Sequence, residues 1–546
     1  MLKMINIKSW IVGLSLMFST CLSAQSNGFE VIKNLELIDL IYLNLEKFYV
    51  DETRTGAISK AGIEAMLAEL DPYTVFYHES NIEDYRMMTT GQYGGVGAVI
   101  RKIDDYVIVS EPYENNPALE AGLRAGDKIL EIDGKDMKGK STEEVSTALK
   151  GVKGTSVNVK VDRPSQGEMT FSVTRDEIKM PDVPYSGMLE GNIGYIKLNS
   201  FTQTASSSVI EAYKALKEDG MTKLILDLRG NGGGMLIESV NIVNMFVPEG
   251  EKVVETKARI VEENRTYRTK NKPLDLDIPI VVLIDGGSAS ASEIVAGTLQ
   301  DLDRGVVVGE TSFGKGLVQR TLDLKYGSKM KLTIARYYTP SGRCVQKLDY
   351  FHKFEGKVDE IPDSLITIYK TKNGRDVIDG RGIEPDVKVE TEDLSRLAVV
   401  LLMENIIFDY ATDYANNYPT IANVESFNVS DKEYERFMRY VESREFEYTT
   451  RTEEKLKKLL ETAKSENYDK AIADEYEALL NKVKASKEKD LVLFKEQIKK
   501  LLQNEIVSRY YFQTGRIVNS FNEDRALREA MSILNDAKRY NSILQP

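Results

Sequence analysis

The sequence predicts a multidomain α/β chain, and three observations carry that reading. At 546 residues the chain exceeds the roughly 250 to 300 residues at which one hydrophobic core stops growing, so about three or four domains are expected. Hydrophobic residues make up 42% and charged residues 29%, with only 14 prolines. That composition can bury enough apolar surface to offset the entropy of ordering a backbone. The hydrophobic period also changes along the chain, which divides it into a helical N-terminal region (25–85), a compact mixed domain (86–178), an α/β layer domain (179–390) and a helical C-terminal extension (391–546).

Residues 1–24 read as an export signal. Lys3 and Lys8 precede an apolar stretch from Trp10 to Phe18, and small or polar residues then end in Leu22-Ser23-Ala24-Gln25. A cationic start, a short apolar middle and a small residue before the break form a secretory signal, and the run is too short to span a bilayer. Cleavage is placed after Ala24. Lipid attachment at Cys21 is the competing reading, and Phe18-Ser19-Thr20-Cys21 suits it poorly. The mature chain is then expected in the periplasm or cell envelope, soluble or peripheral to the membrane. Losing Lys3, Lys8 and Cys21 moves the net charge from −13 to −15 and leaves Cys344 as a single thiol, so no internal disulfide forms.

In the N-terminal region Ile32, Leu35, Ile38, Ile41, Leu45 and Phe48 recur every three or four residues, predicting a helix over Val31–Tyr49. A second helix over Ile58–Leu70 stops at Asp71-Pro72. The mixed domain carries short β-rich runs at Val96–Ile100, Tyr106–Val109, Lys128–Ile132, Ser156–Val161 and Met169–Val173. In the α/β domain, strands at Ile193–Leu198, Lys223–Leu228, Ile278–Ile284, Val306–Val308 and Met330–Tyr338 alternate with amphipathic segments such as Met235–Phe246 and Ser290–Leu302. Beyond Pro385, Leu456, Leu459 and Leu460, then Leu493, Phe494, Ile498, Leu501 and Leu502, keep helical spacing among mixed charges. That pattern predicts a solvated helical appendage, whose candidate roles are a homo-oligomer interface or a shield over a cleft.

Scarce residues exclude whole classes of chemistry. Two histidines (His78, His352) and two cysteines cannot supply the ligand sets of zinc, haem or iron–sulfur sites, so no metal and no organic cofactor is expected. A net charge of −13 without a basic cluster gives no means of neutralising phosphates, so nucleic acid is not an expected partner.

Three Gly-rich turns in the α/β domain each follow a strand. Asp227-Leu228-Arg229-Gly230-Asn231-Gly232-Gly233-Gly234 leads into a helix and could cradle an oxyanion with backbone N–H groups. Asp285 to Glu293 contains Ser288, Ser290 and Ser292, with Ser290-x-x-Glu293 also readable as a plain capping box. Gly309 to Gln319 contains Gly314-Lys315-Gly316. A serine nucleophile needs a base, and neither histidine has an evident acidic partner, which disfavours a Ser/His/Asp triad. Lysine is the substitute, because burial can hold an amine neutral. Lys315 fits that role, and Gln319 at i+4 could orient it without adding charge.

Taken together these segments resemble the carboxyl-terminal processing peptidases, or tail-specific proteases. The resemblance covers residues 30 to 390 through ordered motifs: Leu70-Asp71-Pro72-Tyr73, Gly94-Gly95-Val96-Gly97, Asp227-Leu228-Arg229, Ser288 to Glu293, Phe313-Gly314-Lys315-Gly316, Thr339-Pro340-Ser341-Gly342-Arg343 and Gly382-Ile383-Glu384-Pro385-Asp386. The resemblance implies a ClpP/crotonase-like protease core with Ser290 as nucleophile, Lys315 as general base, Gln319 as its support, and the N–H groups of Gly233 and Ala291 as oxyanion hole. It also implies that the mixed domain is a PDZ module. There Gly94, Gly95, Val96 and Gly97 would bind the terminal carboxylate of a protein or peptide with an apolar tail, which adds as a strand. The chain departs from the family pattern at Tyr73, where many relatives have histidine, and at Lys150, where many have arginine; lysine lacks the planar fork of arginine. Two alternatives stay open at this point: a degenerate PDZ scaffold, and an acyl-CoA enzyme of the crotonase type, the latter by fold analogy alone.

Overall fold

The computed structural model describes residues 7–79, 82–354, 357–444, 446–487 and 489–545. Helix α1 spans Ile7–Phe48 and α2 spans Thr55–Ala68. Of the segment read as a signal, residues 1–6 lie outside the described residues, and the side chains of 7–24, including Cys21 and Ala24, do as well. The helix expected over Val31–Tyr49 forms, but the apolar face it was read from is not packed: Leu35, Ile38 and Ile41 are exposed. After α2 the backbone turns at Asp71, whose Oδ1 accepts the N–H groups of Tyr73 and Thr74 at 2.8 and 2.9 Å. Strand β1 (Val75–Tyr77) and helix α3 (Ile82–Thr90) follow.

The mixed domain comprises β2 (Gln92–Gly95), β3 (Ala98–Ile103), β4 (Tyr106–Pro112), α4 (Pro117–Glu120), β5 (Lys128–Ile132), β6 (Lys135–Asp136), α5 (Thr142–Leu149), β7 (Ser156–Arg163), β8 (Gly167–Thr174) and β9 (Asp176–Lys179). Its sheet runs β3-β4-β5-β7-β8, with β6 on β5, while β2 pairs with β9 where the chain enters and leaves the domain. Strand alternation puts Val157, Val159 and Val161 of β7 inside with Val107, Val109 and Ile129. Helix α5 starts at a capping box between Ser141 and Glu144 and buries Val145 and Leu149 in the same core, beside β3. A buried ion pair, Arg163 to Asp127 at 2.7 Å, fixes the turn before β5. Among the described residues β3 pairs with β4 alone, which leaves its other edge unpaired in the sheet.

The α/β domain comprises β10 (Tyr185–Leu189), β11 (Ile193–Lys197), α6 (Ala205–Glu218), β12 (Lys223–Asp227), α7 (Leu236–Asn244), β13 (Lys252–Ala258), β14 (Arg265–Arg268), β15 (Ile280–Ile284), α8 (Ala291–Asp301), β16 (Val306–Gly309), β17 (Leu317–Asp323), β18 (Lys329–Tyr338), β19 (Leu348–Phe354), β20 (Lys357–Glu360), β21 (Ile368–Lys370), β22 (Asp376–Ile378) and β23 (Val387–Lys388). The central sheet runs β10-β11-β12-β15-β16-β23, parallel from β11 onward. A second sheet joins β18 to β13, β14 and β17, and also takes β1 of the N-terminal region, pairing Val75 with Lys331. Helix α8 is buried along its whole length. At its C-terminal end Arg343 meets Asp301 at 2.8 Å, both side chains almost fully buried, and clamps the Thr339–Arg343 turn.

A parallel sheet must be covered on both faces. Leu224, Leu226 and Val282 face the α6, α7 and α8 side, while Ile225, Val281 and Leu283 point the other way. The C-terminal extension supplies the second cover, which corrects its reading as a solvated appendage. It comprises α9 (Arg396–Met403), α10 (Ile406–Asn417), α11 (Asp431–Glu442), α12 (Arg451–Ser465), α13 (Ala473–Lys487), α14 (Asp490–Leu493), α15 (Lys495–Ser520), α16 (Arg525–Asn535) and α17 (Ala537–Leu544). Leu527, Ile533 and Leu544 of α16 and α17 pack on Ile225, Val281 and Leu283. Tyr540 Oη accepts from Ile280 N–H at 3.0 Å and donates to its carbonyl at 3.1 Å. Helices α9, α10, α11 and α15 form their own core around Leu401, Ile407, Phe437 and Leu502. From there the Phe408 ring takes the guanidinium of Arg101 of β3 at 4.0 Å and that of Arg509 at 4.4 Å. The solvated description holds only for parts such as α12, where Leu459 is exposed.

Truncating Ile533 to Ala should therefore lower stability by about 2 to 4 kcal/mol, whereas Leu459→Ala should stay within about 0.5 kcal/mol of wild type. Denaturant titration of the two variants checks the contrast.

Candidate active site

The turn after β12 begins at Asp227, a buried carboxylate. Burial pushes its pKa up, but Arg229 and Lys197 overcome that and hold it well below the usual range. Arg229 also reaches Asp524 of the tail at 2.7 Å, so the extension grips the start of this loop. Asn231, fully buried, donates from Nδ2 to Leu198 O at 2.8 Å and accepts at its carbonyl from Ala289 N–H and Ser292 Oγ. Gly233 has φ +98°, and a Cβ there would lie 2.7 Å from Ala289 O and 2.8 Å from Ser290 Cβ. Only glycine allows this backbone to lie against the start of α8.

That contact brings Gly233 next to Ser290 and Ala291, as the oxyanion-hole expectation requires. The Gly233 N–H itself, however, donates to Asn231 Oδ1 at 2.9 Å. As the structure stands it is occupied, and a substrate oxygen has to displace the Asn231 side-chain Oδ1 to use it. The N–H of Ala291 opens α8, where the first turn has no intrahelical acceptors.

The three serines of the run differ sharply in their surroundings. Ser288 Oγ donates to Leu228 O at 2.9 Å and is fully buried. Ser292 Oγ donates to Asn231 O at 2.8 Å and is buried too. Ser290 alone is partly exposed. Its backbone is forced to φ 55°, ψ −109°, a conformation that L-residues adopt only when their surroundings over-determine it. Here its N–H donates to Glu293 Oε2 at 2.7 Å, and its carbonyl accepts from Tyr337 Oη at 3.2 Å.

Glu293 is more than a capping residue. It is fully buried, and besides Ser290 it accepts the Lys315 N–H on the same Oε2 at 2.9 Å, and on Oε1 the Gly314 N–H at 2.7 Å and Ser312 Oγ at 2.5 Å. Burial pushes its pKa up while these four donors pull against that. One carboxylate thus ties the Ser290 backbone to the Lys315 backbone. On the far side Gly314, at φ +87°, presses on Lys347, where a Cβ would approach Lys347 Cβ to 2.5 Å.

Lys315 is mostly buried, and its pKa falls to about 8, first through burial and then through the like charge of Lys331. No carboxylate pairs with its Nζ among the described ion pairs. The amine instead lies over the ring of Tyr73, 4.1 Å from the centroid. Gln319 sits on β17, where its Nε2 donates to Thr333 Oγ1 at 3.1 Å. Direct orientation of Lys315 by Gln319, expected from the i+4 spacing, is not what the structure shows. Beside this site a cleft of about 960 Å³ is lined by Leu317, Leu332, Ile334, Leu348 and Phe351. His352 corrects another expectation: it lies on β19 and does have an acidic partner, Asp349 Oδ2 at 2.8 Å, but the imidazole is exposed.

The expected carboxylate cradle narrows. Gly94 and Gly95 are strand residues paired with Glu177 and Asp176. The Gly94 N–H leans toward Glu83 Oε2 at 3.4 Å, and its carbonyl accepts from Gly151. Val96 and Gly97 form the turn into β3, their carbonyls bound by the N–H groups of Ala118 and Tyr113. Lys150 lies nearby over the Tyr93 ring at 5.7 Å. Sequence reasoning missed Glu293, Asn231 and Tyr73 as site residues. The Ser-x-x-Glu and Asp-Pro-Tyr patterns were visible, but the contacts they make are long-range.

Comparison with known proteins agrees on three segments. Residues 192–350 match the model of peptidase family S41, residues 108–163 that of a PDZ domain, and residues 397–534 that of the C-terminal helical domain of a probable PDZ-protease. A probable CtpA-like serine protease of Staphylococcus aureus is 32% identical over 370 residues, 67% of either chain. A carboxy-terminal-processing protease of Bartonella bacilliformis is 34% identical over 346 residues, 62% of this chain and 79% of that one. Among solved structures, a photosystem II D1 C-terminal processing protease is 29% identical, covering 64% of this chain and 91% of its own at a TM-score of 0.36.

Replacing Glu293 with Gln should orphan part of its donor set at about 1 to 3 kcal/mol per group, seen as a lower melting temperature. Lys331→Met should raise the pKa of Lys315, a shift measurable from the pH dependence of amine labelling at Lys315.

Proposed function

The chain belongs to peptidase family S41, the carboxy-terminal-processing proteases, as a serine-type peptidase with a PDZ domain, and from that membership we propose that it is an exported endopeptidase using a Ser290/Lys315 dyad. The observation that supports this most directly is the shared Glu293 oxygen, which holds the Ser290 and Lys315 backbones together while the Lys315 amine stays buried. Near its pKa of about 8 a useful fraction of Lys315 is neutral. Ser290 Oγ attacks the scissile carbonyl as its proton passes to Nζ, and the ammonium then returns the proton to the leaving amine. The N–H groups of Ala291 and, once Asn231 Oδ1 gives way, Gly233 receive the oxyanion; one such donor is typically worth about 3 to 4 kcal/mol.

In this reading the open edge of β3, with α5 alongside and Val96-Gly97 at its start, captures the apolar C-terminal tail of a protein substrate as an added strand. Export rests on the signal pattern of residues 1–24, with Ala24 as the cleavage residue. A crotonase-type acyl-CoA activity is set aside by the family membership. No metal or organic cofactor enters the scheme.

Ser290→Ala and Lys315→Ala should each lower peptide cleavage by about 10⁴-fold or more with the fold intact by circular dichroism; retained cleavage in the serine variant overturns the assignment. Model proteins differing only in their last few residues should be cut by the wild type according to those residues. In wild type, kcat/KM should rise with pH through about 8, because the base works only after losing its proton; a profile flat from pH 6 to 9 would contradict a lysine base.

A further inference from the structure

The Asp71-Pro72-Tyr73-Thr74 turn lies outside the proposed dyad, yet it is built into the active site. Its Tyr73 ring faces Lys315 Nζ at 4.1 Å from the centroid, and its edge packs on Tyr350 at 5.9 Å and 89°. The turn is rigid: Asp71 Oδ1 holds the N–H groups of Tyr73 and Thr74, and Asp71 Oδ2 accepts from Thr74 Oγ1 at 3.0 Å. It is locked onto β18 as well, since Thr333 Oγ1 donates to Asp71 Oδ1 at 3.2 Å and Thr333 N–H donates to Thr74 Oγ1 at 3.2 Å. Gln319 Nε2 donates to that same Thr333 hydroxyl at 3.1 Å. The path from Gln319 to Lys315 therefore runs through Thr333, Asp71 and Tyr73.

We infer that Tyr73 is the positioning partner of Lys315, its ring face holding the amine over the site and stabilising the ammonium formed when the serine proton arrives, with Gln319 acting through the turn that carries it. This inference rests on the Ser290/Lys315 reading. When Oγ bonds to the carbonyl carbon, the carbonyl π pair moves onto oxygen and the Oγ proton moves to the Nζ lone pair, so a cation appears beneath the ring. A ring quadrupole attracts a cation and has little effect on a neutral amine, so the interaction is stronger in the transition state than before it and speeds the step. A carboxylate in the same place would keep Lys315 protonated beforehand and remove the base. Burial and the Tyr350 contact raise the Tyr73 pKa, so the ring stays uncharged over the working range.

The test replaces residue 73 in the full-length chain with phenylalanine and then with mono-, di- and trifluorophenylalanine, which keep the shape while draining the ring face. Tyr73→Phe should keep kcat within about twofold. Across the fluorinated series kcat should fall progressively, to about five- to thirtyfold below Tyr73→Phe. The acid limb of kcat/KM should move to lower pH, because the ammonium loses support, and KM should stay nearly constant. A flat series, or loss in Tyr73→Phe equal to that in the trifluoro variant, overturns the role of the ring face. Lys315→Ala run in parallel separates the two claims: an active Lys315→Ala defeats the base assignment, and an inactive one with a flat series defeats only the inference about Tyr73.

Discussion

The Glu293 carboxylate is the constraint on which the active site depends. It sits fully buried at the start of α8 and takes four donors, among them the backbone N–H groups of Ser290 and Lys315 on one oxygen. A buried charge is tolerable only when it is hydrogen-bonded throughout, so neither loop can move without leaving that carboxylate short of partners. The strained φ of Ser290 is held from the same point. The site is therefore two loops joined by one carboxylate, with Ser290 partly exposed and the Lys315 amine tucked against the Tyr73 ring.

Around this centre the other domains act as walls. The N-terminal region contributes β1 to the second sheet and Tyr73 to the surface over Lys315. The C-terminal extension covers the outer face of the parallel sheet and reaches the Gly-rich loop after β12 through Asp524 and Arg229. It also meets the PDZ domain at β3, the strand whose open edge would receive a peptide, through the Phe408 ring, which takes both Arg101 and Arg509. One helical domain thus touches both the PDZ domain and the Gly-rich loop after β12.

Much of this was legible in the primary structure where the physics is local. Strand runs such as Lys128–Ile132 have the bounds expected of them, because alternation and flanking turns are properties of neighbouring residues. The Gly-rich turns that carry Ser290 and Lys315 were likewise visible as local motifs at strand ends. The tail was misread because mixed charges along a helix look alike whether its apolar stripe meets solvent or a sheet. The faces of Ile225 and Val281 that require α16 and α17 lie far away in the chain; Ile280 and its partner Tyr540 are 260 residues apart. The partner of Gln319 was hidden for a similar reason: i+4 spacing says nothing about Thr333, which reaches it across β17 and β18.

The sequence by itself determined the elements, the domain order and the chemical types available: a serine, a lysine able to serve where histidine is scarce, and glycines where the backbone must turn. Those follow from side-chain size, periodicity and the intrinsic chemistry of each residue. The tertiary structure alone decided which serine hydroxyl is left unburied, that Asn231 occupies the Gly233 N–H, that Glu293 joins the two loops, and that the Tyr73 ring lies against the Lys315 amine. Apart from the local Asn231–Gly233 hydrogen bond, these depend on contacts between separate segments, and such contacts are selected by the packing of sheets and helices rather than by anything a residue shares with its neighbours.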